Sequence, residues 1–291
     1  MINIDDYVKT DLLVSLCDEI NMPDAVTKQI QYYAKSVDFT PVGIYFKDLF
    51  SIETAAASQK AIHEYFGKRN FGIDELTVYL SAALHTRKNY LRIGIGDNVY
   101  INTMKMFARF VNEHMVSYGE YGFDRGAWTY RILSSVLFRI NQLEFEMLYL
   151  KDDVEGYGSA GEPVISVHIP SDAVLSRSEL DVSYNKAKKF LSEHFGNFSY
   201  KYFYCSSWLL APVLKDLLSP GSKILDFQSD YDIINYDSDN DSYMIWVYKR
   251  KYDDFNDLPE TTTLARDIKN HLLNGGKIGT GYGVLINREK A

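Results

Sequence analysis

Two short runs place histidine, cysteine and serine where they could do transfer chemistry. In PVISVHIPSD (163–172) a β-branched stretch ends on His168, and in YFYCSSWLL (202–210) an aromatic stretch ends on Cys205, Ser206 and Ser207. Imidazoles titrate near neutral pH, so a histidine at a strand end suits a general base that takes a proton from an attacking amine. A thiol or hydroxyl on the next strand could be a nucleophile, a proton donor to a departing thiolate, or a ligand contact. Neighbouring strands lie about 4.8 Å apart, so Cys205 could pair with His168. The structural alternatives are a histidine bonded to a loop carbonyl, and a core cysteine followed by a turn-capping serine. Weighed against these, Ser206 leans toward function and Cys205 toward the core, and the catalytic candidates are His168, Ser206 and Cys205.

A second group is basic and aromatic. Arg125, Trp128, Arg131 and Arg139 lie in one stretch, and Arg131, Ser135, Arg139, Gln142 and Glu146 recur every three or four residues. On a helix that spacing makes a single polar stripe, which could face a second domain and bind carboxylate or phosphate through a guanidinium. A solvated helix face, or an arginine–glutamate pair between domains, explains the stripe equally well. Trp128 and Trp208 could stack on a ligand, although such rings more often fill a core or an interface.

Other motifs lead nowhere. GIGD (94–97) lacks a third glycine, and GGKIGTGYG (275–283) follows a helix instead of preceding one; neither has the Lys-Ser/Thr of a phosphate loop. DSDNDS (237–242) begins like a calcium loop, but Ser242 stands where glycine is needed and Tyr248 where a bidentate glutamate is needed. No histidine pair has zinc-ligand spacing, so no metal is expected.

These side chains need elements to hold them. The first half reads as helix: Leu12, Leu13, Leu16 and Ile20 in one, a second from Pro23–Asp24 toward Asp38, then 43–66, 74–89, 97–117 with Asp97 as cap, and 128–149. In the last, Ile132, Val136, Ile140, Leu143 and Met147 keep one apolar face. KDDVEGYGSAGEP (151–163) is loop chemistry and sets an expected boundary between domains 1–155 and 156–291. Beyond it come strand 164–169, helix 179–195, strand 200–205, a short helix after Pro212, strands 223–236 and 242–250 joined as a hairpin, helix 257–274 closed by Gly275 and Gly276, and a strand over 281–287. The first strand–helix–strand implies a parallel pair with a crossover, to which the hairpin adds antiparallel strands. The fold class is thus α+β with two domains, an all-α one followed by an α/β one with a mixed sheet.

The chain has 291 residues, 46% of them apolar and 24% charged, ordinary values for globular domains. Its net charge of −8 is spread over both halves, which argues against nucleic acid or an anionic membrane as partner. Two cysteines are too few for a disulfide scaffold, no apolar run reaches membrane-helix length, and the first residues do not read as a signal peptide. A cytoplasmic protein is expected, with its oligomeric state open.

GFDRGAWTYR (122–131) and FRINQLEFE (138–146) resemble the signature of a helical N-acyltransferase N-terminal domain. PVISVHIPSD, YCSSWLL (204–210), SKILDFQSDY (222–231) and LPETTTLARDIKNHLLNGGKIGTGYGVL (258–285) resemble the GNAT-like C-terminal domain of the same bacterial proteins. The resemblance runs from about residue 90 onward. It implies an acyltransferase in which two parallel strands splay and the pantetheine arm of acyl-CoA lies between them; strand 164–169, helix 179–195 and strand 200–205 would take those places. It implies acyl-CoA or acetyl-CoA as co-substrate, contacted by Ser171 and Ser207, and a small-molecule acceptor, probed by Arg125, Trp128, Arg131, Arg139 and Trp208. One feature departs from the pattern. The usual glycine-rich pyrophosphate loop is replaced by IPSDAVLSRSEL (169–180), which has no glycine and in which Pro170 removes an amide donor. Two readings therefore stand side by side: an acyltransferase acting on an amine, and a noncatalytic GNAT-like binding or scaffold protein that has lost CoA.

Overall fold

Helix α5 (Ile73–Arg92) is apolar on nearly every side, and Leu76, Val78, Tyr79, Leu80, Ala82 and Ala83 are all buried, so it must be wrapped by other helices. A computed structural model describes residues 4–67 and 69–286 and shows the wrapping. Around α5 pack α1 (Thr10–Glu19), α2 (Asp24–Ser36), α4 (Ile52–Phe66), α6 (Asp97–Tyr118) and α7 (Gly126–Leu133), with the short α3 (Gly43–Phe46) against α4. The helical stretch expected over 43–66 is broken at Ser51, which is extended. Asp97 is not the cap of α6: Gly96 holds that position, and the Asp97 carboxylate accepts instead from Arg87 Nε at 2.9 Å.

The glycines of GFDRGAWTYR are explained by packing. A Cβ on Gly126 would lie 2.5 Å from Glu75 Oε1, and one on Gly122 2.5 Å from the His114 ring. Glu75 is itself buried at the start of α5. It accepts from Tyr79 Oη at 2.6 Å and contacts His63 Nδ1 at 2.8 Å.

The chain divides into two compact units between Arg139 and Ile140. The expected helix 128–149 ends early. Ser135 adopts a left-handed conformation just after α7, and Asn141 another, with φ of 59° at each. The chain then forms β1 (Leu137–Ile140) and β2 (Leu143–Tyr149), turning at Asn141. β2 pairs antiparallel with β3 (Pro163–His168), so the 151–162 loop joins two strands of one sheet, and the boundary expected at 155/156 lies inside the second unit. Then follow α8 (Arg177–His194), β4 (Phe203–Ser207), α9 (Leu214–Leu217), α10 (Lys223–Gln228), β5 (Tyr231–Asp237), α11 (Tyr243–Val247), α12 (Thr263–Leu273) and β6 (Thr280–Leu285). Residue 287, the expected end of the last strand, lies outside the described residues.

Among the described residues the sheet is six-stranded and mixed, in the order β1-β2-β3-β4-β6-β5. β3 and β4 are parallel, with α8 as their crossover. The expected hairpin 223–236/242–250 is absent. β5 pairs with β6 instead, and Tyr243 and Met244 of α11 are buried in a cluster with Leu214, Ile268 and Leu272. α12 is capped by Thr262, whose hydroxyl accepts from Ala265 N, and is followed by Gly275 in the left-handed region.

Candidate active site at the ends of two parallel strands

The ladder between β3 and β4 is short. It pairs Ile165 with Phe203 and Ser166 with Tyr204, and ends there. Both strands continue. β3 remains paired with β2 as far as His168, and β4 with β6 as far as Ser207. Each strand thus follows its outer neighbour after the two part from each other. The Ile165 amide donates to Tyr202 O at 3.1 Å, so its peptide groups face β4; by alternation those of Val167 face the same way, its amide closing the Ser166–Tyr204 pair and its carbonyl lying past it, and on β4 the Ser206 backbone groups face the same gap.

Alternation also sorts the side chains. Glu144 stands opposite His168 and Glu146 opposite Ser166, while Ser166 stands opposite Tyr204. One face of the sheet therefore carries Glu144, Glu146, Ser166, His168, Tyr204 and, two residues on, Ser206. His168 Nε2 lies 2.8 Å from Glu146 Oε2, with the two side chains 20% and 10% exposed. Ser206 is exposed at the end of β4.

Cys205 belongs to the other face. It is fully buried, with Tyr184 of α8 and Tyr231 as electrostatic neighbours, and desolvation pushes its thiol well up from the ordinary range. The Tyr184 and Tyr231 hydroxyls, 2.8 Å apart, satisfy each other beside it. The pairing of Cys205 with His168 is thereby corrected: successive side chains point to opposite faces, and the two residues have opposite parity about the Ser166–Tyr204 pair. Cys17 is also buried, its thiol pushed up to about 11. Iodoacetamide will accordingly leave both cysteines unmodified in the native protein and label them after denaturation, as peptide mass spectrometry will show. Cys205→Ser, which places a hydroxyl in this apolar pocket, will lower stability by about 1–3 kcal/mol in urea titrations.

The other candidates are dispersed. Ser207 caps the 3-10 turn Trp208–Leu210 by accepting from Leu209 N at 3.1 Å, and Trp208 packs on the α11–α12 cluster. Ser171 lies in a turn closed by Ala173 N donating to Pro170 O at 3.0 Å. Arg177, first residue of α8, bonds Asp230 Oδ1 at 2.7 Å and also Asp226. In the first unit Arg125 pairs with Asp124 at 3.1 Å, and the Arg131 guanidinium lies over the Trp128 and Tyr130 rings at 4.6 and 4.4 Å. The Arg139 amide donates to Thr103 Oγ1 at 3.0 Å. The helical stripe Arg131–Ser135–Arg139–Gln142–Glu146 does not exist, because its members fall on α7, β1, β2 and the turns between them. Sequence reasoning missed Tyr204 and the true place of Glu146. The period-two order Glu144–Phe145–Glu146 was the available signal, since it reads as a strand with one polar face.

No curated protein matches the chain. Among solved structures it is similar to an acyltransferase mutant in complex with octanoyl-CoA, at 22% identity and a TM-score of 0.77 over 94% of this chain and 87% of the other. It is similar to an acyltransferase in complex with decanoyl-CoA and teicoplanin, at 22% identity and a TM-score of 0.74 over the same shares. A further acyltransferase structure, in complex with decanoyl-CoA, matches at 19% identity and a TM-score of 0.74 over 93% of this chain and 86% of that one. At such identities the likeness establishes the fold. The family model of the N-acyltransferase N-terminal domain matches residues 11–135, and that of the GNAT-like C-terminal domain matches residues 137–285. On a strand–helix–strand unit whose parallel pair parts at its end, and on a match reaching across both units, the chain belongs to the family that joins an N-acyltransferase N-terminal domain to a GNAT-like C-terminal domain.

Proposed function

We propose that the protein is an acyl-CoA-dependent acyltransferase acting on a small-molecule amine. The observation that carries this reading is the early end of the β3–β4 ladder at Ser166 and Tyr204. A pantetheine arm, itself a chain of amides, fits such a gap and can donate to the Val167 carbonyl that faces it. Similar proteins hold octanoyl-CoA or decanoyl-CoA, one of them together with teicoplanin, which supports a long-chain thioester donor and an acceptor of ligand size. Acyl-CoA is an intracellular metabolite, so we place the protein in the cytoplasm. Among the described residues no helix is long and apolar enough to cross a membrane.

In this mechanism the acceptor nitrogen attacks the thioester carbonyl. His168 takes the proton that the nitrogen loses as the C–N bond forms. The Ser206 backbone amide, which faces the gap past the last ladder pair, donates to the carbonyl oxygen as negative charge grows there. The C–S bond then breaks, and the Ser206 hydroxyl donates a hydrogen bond to the departing thiolate. The α8 N-terminus, where Ser176 provides no side-chain cap, offers backbone amides to the pyrophosphate in place of a glycine loop.

The glycine-free segment 169–176 favours a second reading, a binding protein without transfer activity. Thermal shift separates the two. At about 100 times Kd, a ligand of the folded state adds about 2.7 kcal/mol, a rise of several degrees for a protein of this size. Decanoyl-CoA will produce that rise. No shift at millimolar CoA or decanoyl-CoA would sink the acyltransferase reading and leave the binding one.

A further inference from the structure

We infer that Glu146 is a positioning residue for His168, holding the ring by Nε2–H so that Nδ1 is the nitrogen that accepts the substrate proton. This rests on the reading of His168 as the base. The contact is 2.8 Å between Nε2 and Oε2, with both side chains largely sequestered. A carboxylate can only accept, so the nitrogen facing it carries the hydrogen. A neutral imidazole has one donor and one acceptor nitrogen, so the lone pair falls to Nδ1.

Backbone register fixes the geometry. Glu146 is paired with Ser166, two residues before His168 on the same face, and the β2–β3 ladder continues from Pro163 to His168 without a bulge. The carboxylate therefore sits on a strand, diagonal to the ring, where its place does not depend on a mobile loop. When Nδ1 takes the amine proton, the ring becomes an imidazolium, and the adjacent carboxylate stabilises the charge that has formed. The same carboxylate resists rotation of the ring between proton uptake and release. The proton passes from the amine to Nδ1 and later to solvent or the released thiolate, so the pair ends each cycle as it began.

Glu146→Gln tests the inference in the full-length protein, with Glu146→Asp as a second variant that keeps the charge and shortens the reach. In 15N-histidine-labelled wild-type protein, the Nε2–H proton of His168 will give a slowly exchanging resonance downfield of the amides, assigned by its loss in His168→Gln. Glu146→Gln will shift or abolish it. In parallel, CoA release from decanoyl-CoA is followed with glucosamine as amine. Glu146→Gln will lower kcat about 10²-fold, the lower end of the roughly 10²–10⁴-fold that a positioned general base contributes. KM for decanoyl-CoA will stay within about twofold, a split that general unfolding does not give. Glu146→Asp will recover part of the loss. If Glu146→Gln keeps its kcat within twofold while His168→Gln is inactive, Glu146 has no positioning role and the inference falls. If His168→Gln turns over at the wild-type rate, the base assignment falls instead. If no wild-type Nε2–H resonance appears and the His168 15N shifts place the hydrogen on Nδ1, the stated tautomer is wrong.

Discussion

His168→Ala will lower acyl transfer by about 10²–10⁴-fold, the usual contribution of a positioned general base, and leave the melting temperature within a few degrees of wild type. The side chain ends β3 and is 20% exposed, so water can enter the space its removal leaves and solvate the Glu146 carboxylate. The β2–β3 ladder, which pairs backbone groups from Pro163 to His168, does not need the ring. Decanoyl-CoA affinity will hardly change, because the proposed contacts to the donor come from the Val167 carbonyl and the α8 N-terminus. The loss will appear in kcat, with KM for the donor nearly constant. Steady-state CoA release checks this, with calorimetric titration of decanoyl-CoA as the binding control. A variant within tenfold of wild type would mean that the proton leaves by another route.

Gly72→Ala will destabilise the helical unit by about 2–5 kcal/mol, and the reason lies in one clasp. Gly72 has φ of +77°, and a Cβ there would stand 2.1 Å from the carbonyl oxygen of Phe123. That oxygen cannot retreat easily, because the amide of the same residue donates to Phe71 O at 2.7 Å. Asn70 and Phe71 are also left-handed, each with φ of 51°, so the two residues before it already occupy a disfavoured region. Asp74, fully buried, holds them by accepting from Arg69 Nε at 2.7 Å and Asn70 Nδ2 at 3.0 Å. The substitution adds about 1–2 kcal/mol for a left-handed L-residue and about 1–3 kcal/mol for the overpacking. Gly119 provides the control. It has φ of +76°, but nothing lies within 4 Å of its Cβ position, so Gly119→Ala will show the conformational part alone, about 1–2 kcal/mol. Urea unfolding of the two variants separates the contributions. Equal losses would mean that the Phe123 clasp yields without strain.

The strands that flank the candidate site were legible because their composition and periodicity agree. Val164–His168 is β-branched and ends before Pro170, and residues 177–194 keep a helical apolar face through Leu180, Ala187 and Leu191. The β1–β2 hairpin was not legible as such. Ile132, Val136, Ile140, Leu143 and Met147 mimic helical spacing, and the left-handed turns at Ser135 and Asn141 that break it are made by residues that also occur in helices. YMIWV (243–247) reads as a strand by composition but forms a turn of helix, because burial of Tyr243 and Met244 in the C-terminal cluster outweighs a local preference. His168 and Ser206 could be placed at neighbouring strand ends from sequence. Which face each occupies could not, because parity across a parallel pair depends on register, and a shift of one residue would have put Cys205 beside His168.

The central claim is that an acyl-CoA thioester lies between β3 and β4 beyond Ser166 and Tyr204, on the face that carries His168. A crystal structure with a non-hydrolysable thioether analogue of decanoyl-CoA tests it most directly. The account predicts the pantetheine arm in the gap, hydrogen-bonded to the Val167 carbonyl, with the reacting carbon on the His168–Glu146 face of the sheet. An analogue bound elsewhere at full occupancy, or reaching the Cys205 face instead, would contradict it.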